Sequence, residues 1–161
     1  MRPAEVEKLF GEYAAQVHAA VYRLTLDAAA AEDATQEAFV RLITRPPQKP
    51  GNTAAWLKRV AVNCAIDTLR RNGRSKPIGD RDFAAEPERE PSSGELSDEI
   101  VEALKRLKPD HRAAVLSVDR DGMSYDDAAD LLGVHLNKLK TDLLRGRRAL
   151  QKALKGTAYA G

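Results

Sequence analysis

Between Ser124 and Leu154 two helical rhythms are separated by a single glycine, and that spacing restricts what this stretch can become. Ser124-Tyr125-Asp126-Asp127 has the form of a capping box, with Asp127 in place of the usual Glu or Gln. The short helix it predicts carries Ala128, Ala129, Leu131 and Leu132 and stops at Gly133. Glycine there suits the left-handed conformation that ends a helix. Val134 and His135 lead into a longer helix in which Leu139, Leu143, Gly146, Leu150 and Ala153 recur at helical spacing. Lys138, Lys140, Arg145, Arg147, Arg148, Lys152 and Lys155 fall mostly off that stripe, with Asp142 the only acid among them. A buried stripe behind a basic, polar face is what a helix needs to enter a major groove, so this helix-turn-helix points to DNA. A solvated Lys/Arg-rich helix fits the same segment taken alone, and the rest of the chain has to separate the two.

The 161 residues allow one medium domain or two small ones. With 5% aromatic and 31% charged residues, small helical units fit better than one large core. The net charge of +2 says little, so the distribution of charge carries the argument. Cys64 is the single cysteine, which excludes an internal disulfide framework and fits a reducing cytoplasm. Its apolar helical neighbours make it a small hydrophobe rather than a nucleophile. No apolar run approaches the ~20 residues of a membrane span, and Met1 to Glu5 opens no signal peptide. The expectation is a soluble cytoplasmic protein with no membrane insertion. There is no phosphate-binding glycine loop, no Cys/His metal spacing and no acid/base cluster, and His18, His111 and His135 are scattered. No catalytic residue, metal or cofactor is therefore expected, and the chain does not read as an enzyme.

Three compositional zones follow one another. From Pro3 to Gly73 the pattern is helical: Val6, Leu9, Phe10, Tyr13, Val17, Val21 and Leu24 keep one rhythm. Ala34, Ala38 and Leu42 keep another after a break near Asp27. Arg45 to Thr53, with three prolines and a glycine, cannot be helix and predicts a stiff loop. Asn52 or Thr53 then caps a third helix to about Arg71, with Leu57, Val60, Ala61, Cys64 and Leu69 inward. Arg74 to Ser97 is rich in Pro, Gly and acids and poor in large apolar residues, so it predicts a flexible acidic linker. Helices return over Ile100 to Leu107 and Asp110 to Arg120, followed by the helix-turn-helix. No strand-like alternation and no internal repeat is present. The fold class is all-α, in two small helical domains whose ends are expected to move independently.

Four segments carry a family resemblance. Ala31-Glu32-Asp33-Ala34-Thr35-Gln36-Glu37-Ala38-Phe39-Val40-Arg41-Leu42 is similar to the helix of sigma region 2 that carries an AED, a QE and an RL at fixed spacing. The run Trp56 to Arg71, with Asn63, Asp67, Arg70 and Arg71, resembles the following helix of that region. Leu104 to Pro109 with His111-Arg112 looks like the opening of sigma region 4, and Gly122-Met123-Ser124-Tyr125 matches its turn. In this order over nearly the whole chain, they resemble a bacterial RNA polymerase sigma factor of the extracytoplasmic-function (ECF) group.

The resemblance implies sigma region 2 over 1–73, a flexible linker over 74–97, the region 4 helix-turn-helix over 98–155 and a tail over 156–161. Helical geometry leaves Asp33, Gln36, Glu37 and Val40 outside the stripe of Ala34, Ala38 and Leu42. In the family that face binds the clamp coiled coil of the polymerase β′ subunit, and region 4 meets the β flap. Lys58, Arg59, Asn63, Arg70 and Arg71 are the residues the resemblance assigns to the −10 element and its flipped base, with the Arg45 to Asn52 loop as a wall. Trp56 either stacks on a base or packs in the core, and Asp67 braces an arginine. For the −35 element, Asn137, Lys138 and Thr141 suit base edges, while Lys140, Arg145 and Arg148 suit phosphates. Asp142 stands where an arginine is usual, and either removes a backbone contact or reads a cytosine amine. The linker is either a nucleic-acid mimic for the RNA exit channel or a plain tether. The partners implied are core RNA polymerase, promoter DNA and an anti-sigma factor. Two other classes remain open: a helix-turn-helix regulator that acts without polymerase, and a decoy that keeps the fold but sequesters an anti-sigma factor.

Overall fold

A computed structural model describes residues 2–48, 51–75 and 96–155. Most of the expected linker and the whole of the expected tail lie outside the described residues, as do two positions of the proline-rich loop. The described helices are α1 (Pro3–Thr25), α2 (Ala28–Thr44), α3 (Thr53–Ser75), α4 (Asp98–Lys105), α5 (Pro109–Val115), α6 (Tyr125–Leu132) and α7 (Leu136–Leu154). A π-helical turn, Leu116–Arg120, continues α5.

Local signals in the sequence set most of these ends. The break between α1 and α2 is made by Leu26, which adopts a left-handed conformation at φ 57°, and by Asp27, whose carboxylate accepts from the Ala30 amide. Asn52 accepts from the Ala55 amide at 3.1 Å and caps α3, as its position predicts. Ser97 caps α4 and Ser124 caps α6, each accepting from the amide three residues on. Pro109 occupies the first turn of α5, where its missing N–H costs nothing.

Helices α1 to α3 pack pairwise into an N-terminal bundle, and α4 to α7 with the π turn form a C-terminal one. Ala30, Ala31, Ala34 and Ala38 of α2 and Ala61 and Ala65 of α3 are buried, so these helices approach closely on small side chains. Two core expectations need correction. Phe10 is 44% exposed and Val6 and Leu9 are only partly buried. At 1.5 Å per residue α1 is longer than α2 by about 9 Å, so its first turns overhang. On α3 the expected stripe was too narrow, since Val62, Ala65 and Ile66 are buried while Val60, Cys64 and Leu69 are half-buried. The cause is that α3 meets α1 and α2 on one side and α5 and α6 on the other.

That second contact is the main departure from the sequence reading. The two bundles do not stand apart: α1 meets α5 and the π turn, and α3 meets α5 and α6. Their buried residues form one continuous cluster. Arg112 fixes the join. The residue is 5% exposed, and its guanidinium donates to the carbonyls of Leu104, Lys105 and Leu107, where α4 ends, and to the carbonyl of Thr25 at the end of α1. These are among the acceptors that a helix terminus leaves without internal partners.

Within the C-terminal bundle Gly146 permits the close crossing of α5 and α7. A β-carbon there would stand 2.6 Å from Val115 Cγ2 and 2.7 Å from the His111 carbonyl oxygen. Gly146→Ala gains about 1 kcal/mol of helix propensity, but overpacking a tight site costs about 1–3 kcal/mol. The urea midpoint is therefore expected to fall; a raised midpoint would show that α5 steps away freely.

Candidate nucleic-acid interface

Helix α6 closes on Gly133, left-handed at φ 67°, and the Val134 amide returns to the Ala129 carbonyl. His135 restarts the chain in an extended conformation as N-cap of α7. Leu139, Leu143 and Gly146 then point inward, while Asn137, Lys138, Lys140, Thr141, Arg145 and Arg148 are all exposed. These six residues share the outer face of one helix. Lys140, Arg145 and Arg148 form no ion pair with another described residue, which leaves their charge available for phosphates.

Lys138 is engaged differently. Its ammonium donates to Asp142 Oδ2 at 2.6 Å and to Asp110 Oδ2 at 2.9 Å. Asp142 is buried at 8% exposure and turned toward α5, with the His111 imidazole 3.8 Å away. The unusual acid therefore braces the recognition helix from inside and does not present itself to a groove. Burial lowers the His111 pKa from its ordinary value despite the opposing pull of Asp142, so this side chain is neutral near pH 7.

On α3 Arg59, Asn63 and Arg70 face the C-terminal bundle and Lys58 lies beside a cleft next to it, whereas Arg71 is exposed away from that contact. Arg59 pairs with Asp130 at 3.2 Å, and Arg70 donates to both oxygens of Asp110 at 2.8 and 3.1 Å. Asp67 lies 3.5 Å from both Arg70 and Arg71, the bracing role expected of it. Asn63 donates to the Arg59 carbonyl, and its amide packs against Gly133 so closely that a β-carbon there would lie 2.5 Å from Asn63 Oδ1. Lys58 lines a cleft with Arg23, Leu24, Asp121 and Met123. Trp56 is half-buried and packed against the core. Cys64 is half-buried too, and burial raises its thiol pKa, the reverse of what activates a thiolate.

The third face is on α2. Asp33, Gln36, Glu37 and Val40 are all exposed, and Glu37 pairs along the helix with Arg41 at 3.2 Å. Val40 and Ile43, each 48% exposed, add an apolar strip, and Phe10 leans on Phe39 nearby with ring centroids 4.9 Å apart. Phe10 and Ile43 were not singled out for this face from the sequence, because an apolar residue in a helical rhythm reads as core.

Two family models match, the sigma-70 region 2 model over residues 9–75 and the sigma-70 region 4 model over residues 97–150. ECF RNA polymerase sigma factor SigL of Mycobacterium tuberculosis is 33% identical over 94% of this chain and 89% of its own length. The chain belongs to the ECF sigma factors. ECF sigma factor SigE of Mycolicibacterium smegmatis is 32% identical over 92% of this chain, which spans 61% of the length of that relative. In fold, the sigma factor resembles RpoE of Bartonella quintana, solved in complex with the anti-sigma factor NepR. The TM-score is 0.61 at 24% identity, covering 94% of this chain and 97% of that one. Among the described residues no helix is long and apolar enough to cross a membrane.

The sigma factor's inter-bundle seam has a pH signature. Burial alone would raise the pKa of Asp110 and of Asp121, but hydrogen bonds from Arg70 and Lys138 in one case, and from Arg120 and Arg23 in the other, hold both below the ordinary carboxylate value. A pKa lowered by folding gives stability that is complete above the unfolded value and lost as pH falls through the folded one. The difference in melting temperature between wild type and Asp110→Asn is expected to be constant from about pH 8 to 5 and to shrink below about pH 4. A difference undiminished at about pH 3 would contradict the assignment of these partners.

Proposed function

We propose that this chain is an alternative sigma factor that docks on core RNA polymerase, recognises −35 and −10 promoter elements and directs initiation without catalysing a reaction itself. In this reading residues 1–73 bind core and the −10 element, 74–97 link, 98–155 read the −35 element, and 156–161 are a tail. The observation that carries it is the outer face of α7, where Asn137, Lys140, Thr141, Arg145 and Arg148 are exposed together behind a buried stripe. Asn137, Lys138 and Thr141 serve as base readers, with Lys138 released from its carboxylates on binding. Lys140, Arg145 and Arg148 clamp phosphates.

On α3, Lys58, Arg59, Asn63, Arg70 and Arg71 contact the −10 strand. On α2, Asp33, Gln36, Glu37 and Val40 form the docking face for the β′ clamp coiled coil, and region 4 meets the β flap. A helix-turn-helix regulator that acts alone has no use for that acidic and apolar face, which favours the sigma reading. An anti-sigma partner is proposed by analogy with RpoE and NepR, and the cytoplasm as the place where core polymerase is met. Run-off transcription from a cognate promoter with core polymerase tests the reading directly, and absence of a transcript in the presence of promoter binding overturns it.

Reversing charge with Asp33→Lys and Glu37→Lys is expected to abolish capture of core polymerase. These side chains are exposed, so each change costs the fold no more than about 0.5 kcal/mol. Undiminished capture of core in a pull-down would remove α2 as the docking face.

For the recognition helix, Lys140→Ala and Arg145→Ala are each expected to weaken binding on every sequence. Each should also flatten the salt dependence by about one unit of slope per phosphate contact. Asn137→Ala instead relaxes preference at one −35 position, at about 1–3 kcal/mol for a good base contact. Equal, sequence-independent losses for all three variants would erase the division between readers and clamps.

A further inference from the structure

A cleft of about 370 Å³ opens where α1, α3, the end of the π turn and α6 meet. That is the small end of the range for ligand pockets, which are commonly found between packed units, with apolar walls and a few placed polar groups. Ala20, Leu24, Ala55, Met123 and Leu131 supply the apolar walls. None of the described lining residues is aromatic, so the cleft suits a flexible aliphatic chain better than a stacked ring. Its charges are unequal. Arg23 is paired with Asp121 at 2.6 Å and Arg59 with Asp130 at 3.2 Å, so both acids of the lining are taken. Lys58 lines the same cleft, is half-buried, and makes no ion pair with a described residue. The lining therefore sets three cations against two acids and leaves one ammonium unmatched beside an apolar wall.

We propose that this cleft is a binding site for a small amphipathic monoanion, an aliphatic carboxylate, with its head on the Lys58 ammonium and its chain along Leu24, Met123 and Leu131. One unmatched ammonium fits one negative charge. A cationic head would meet that ammonium and two guanidinium groups, while the acids able to receive it are already paired. A charge-assisted hydrogen bond from Lys58 is strengthened where the surroundings are apolar. The length of the chain follows from the volume. At about 30 Å³ per heavy atom, the share of a water molecule in the liquid, the cleft holds about a dozen. A ten-carbon chain with its carboxylate oxygens comes to that size. The site stands apart from the reading of the chain as a sigma factor. Lys58 is also assigned above to the −10 strand, so an occupant of the cleft and that strand compete for the same ammonium.

Calorimetric titration of the full-length protein with sodium decanoate, without DNA or polymerase, tests this. Saturable binding of one decanoate per chain is expected, and it should tighten by up to about fourfold per methylene from hexanoate to decanoate. Methyl chemical shifts of Leu24, Met123 and Leu131 should follow the same saturation curve. Lys58→Gln, a change at a half-buried side chain, is expected to weaken binding at least about tenfold, and Lys58→Arg to restore most of it. Ala55→Leu fills the wall without touching a charge and should abolish binding; if that bulkier variant does not fold, Lys58→Gln decides alone. Decyltrimethylammonium, with the same chain and the opposite charge, should not bind. Equal binding of both surfactants, or methyl shifts spread over the whole surface, would mean adsorption of a detergent only and overturn the site. Saturable binding undiminished in Lys58→Gln removes the head-group assignment and the proposal with it. Absence of saturable decanoate binding to the wild type overturns it outright.

Discussion

A buried arginine governs this structure. Arg112 lies where α4 ends, α5 begins and α1 terminates, and it donates to carbonyls from both bundles. Helix ends leave carbonyls without internal partners, and a buried carbonyl without a donor costs about 1–3 kcal/mol. The planar guanidinium, with its five donors, meets several such acceptors at once, which a lysine could not do. Once Arg112 is seated, α4 and α5 are fixed relative to each other and the Thr25 carbonyl brings α1 alongside. The charge is then stabilised by carbonyl dipoles, and among the described residues no buried side-chain polar atom lacks a partner.

The rest of the seam uses a different economy. Its carboxylates are only partly sealed from water, and its arginines remain between a third and a half exposed. Such pairs favour one arrangement without locking it. The continuous apolar core and the Arg112 bonds supply the remaining hold. The arginines face acids from the same chain here, and they are the kind of side chain that phosphate also recruits.

Asp142 shows how position changes the meaning of a residue type. An acid on a basic helix looks like a lost phosphate contact or a base reader. In the structure it faces inward and holds Lys138 while lying beside a neutral His111. The helix keeps its outer charge on Lys140, Arg145 and Arg148 and spends Asp142 on its own placement against α5.

Much of this was legible in the residues themselves. Capping residues such as Asn52 and Ser124, the stop at Gly133 and the stripe of Leu139, Leu143 and Gly146 are short-range signals, set by backbone geometry and helical period, and they mark α3, α6 and α7 correctly. The exposed faces of α2 and α7 follow from the same period. The burial of Val62 and Ile66, the exposure of Phe10 and the inward turn of Asp142 were not legible, because each depends on a neighbouring helix distant in the chain. Nor does sequence spacing pair Arg70 with Asp110 or Arg59 with Asp130. Sequence by itself determined the helices, their order, the family and the chemistry each face carries. Tertiary structure alone decided which of those charges face water and which face each other, because long-range packing, and not local period, sets the dielectric and the partner that every charged side chain meets.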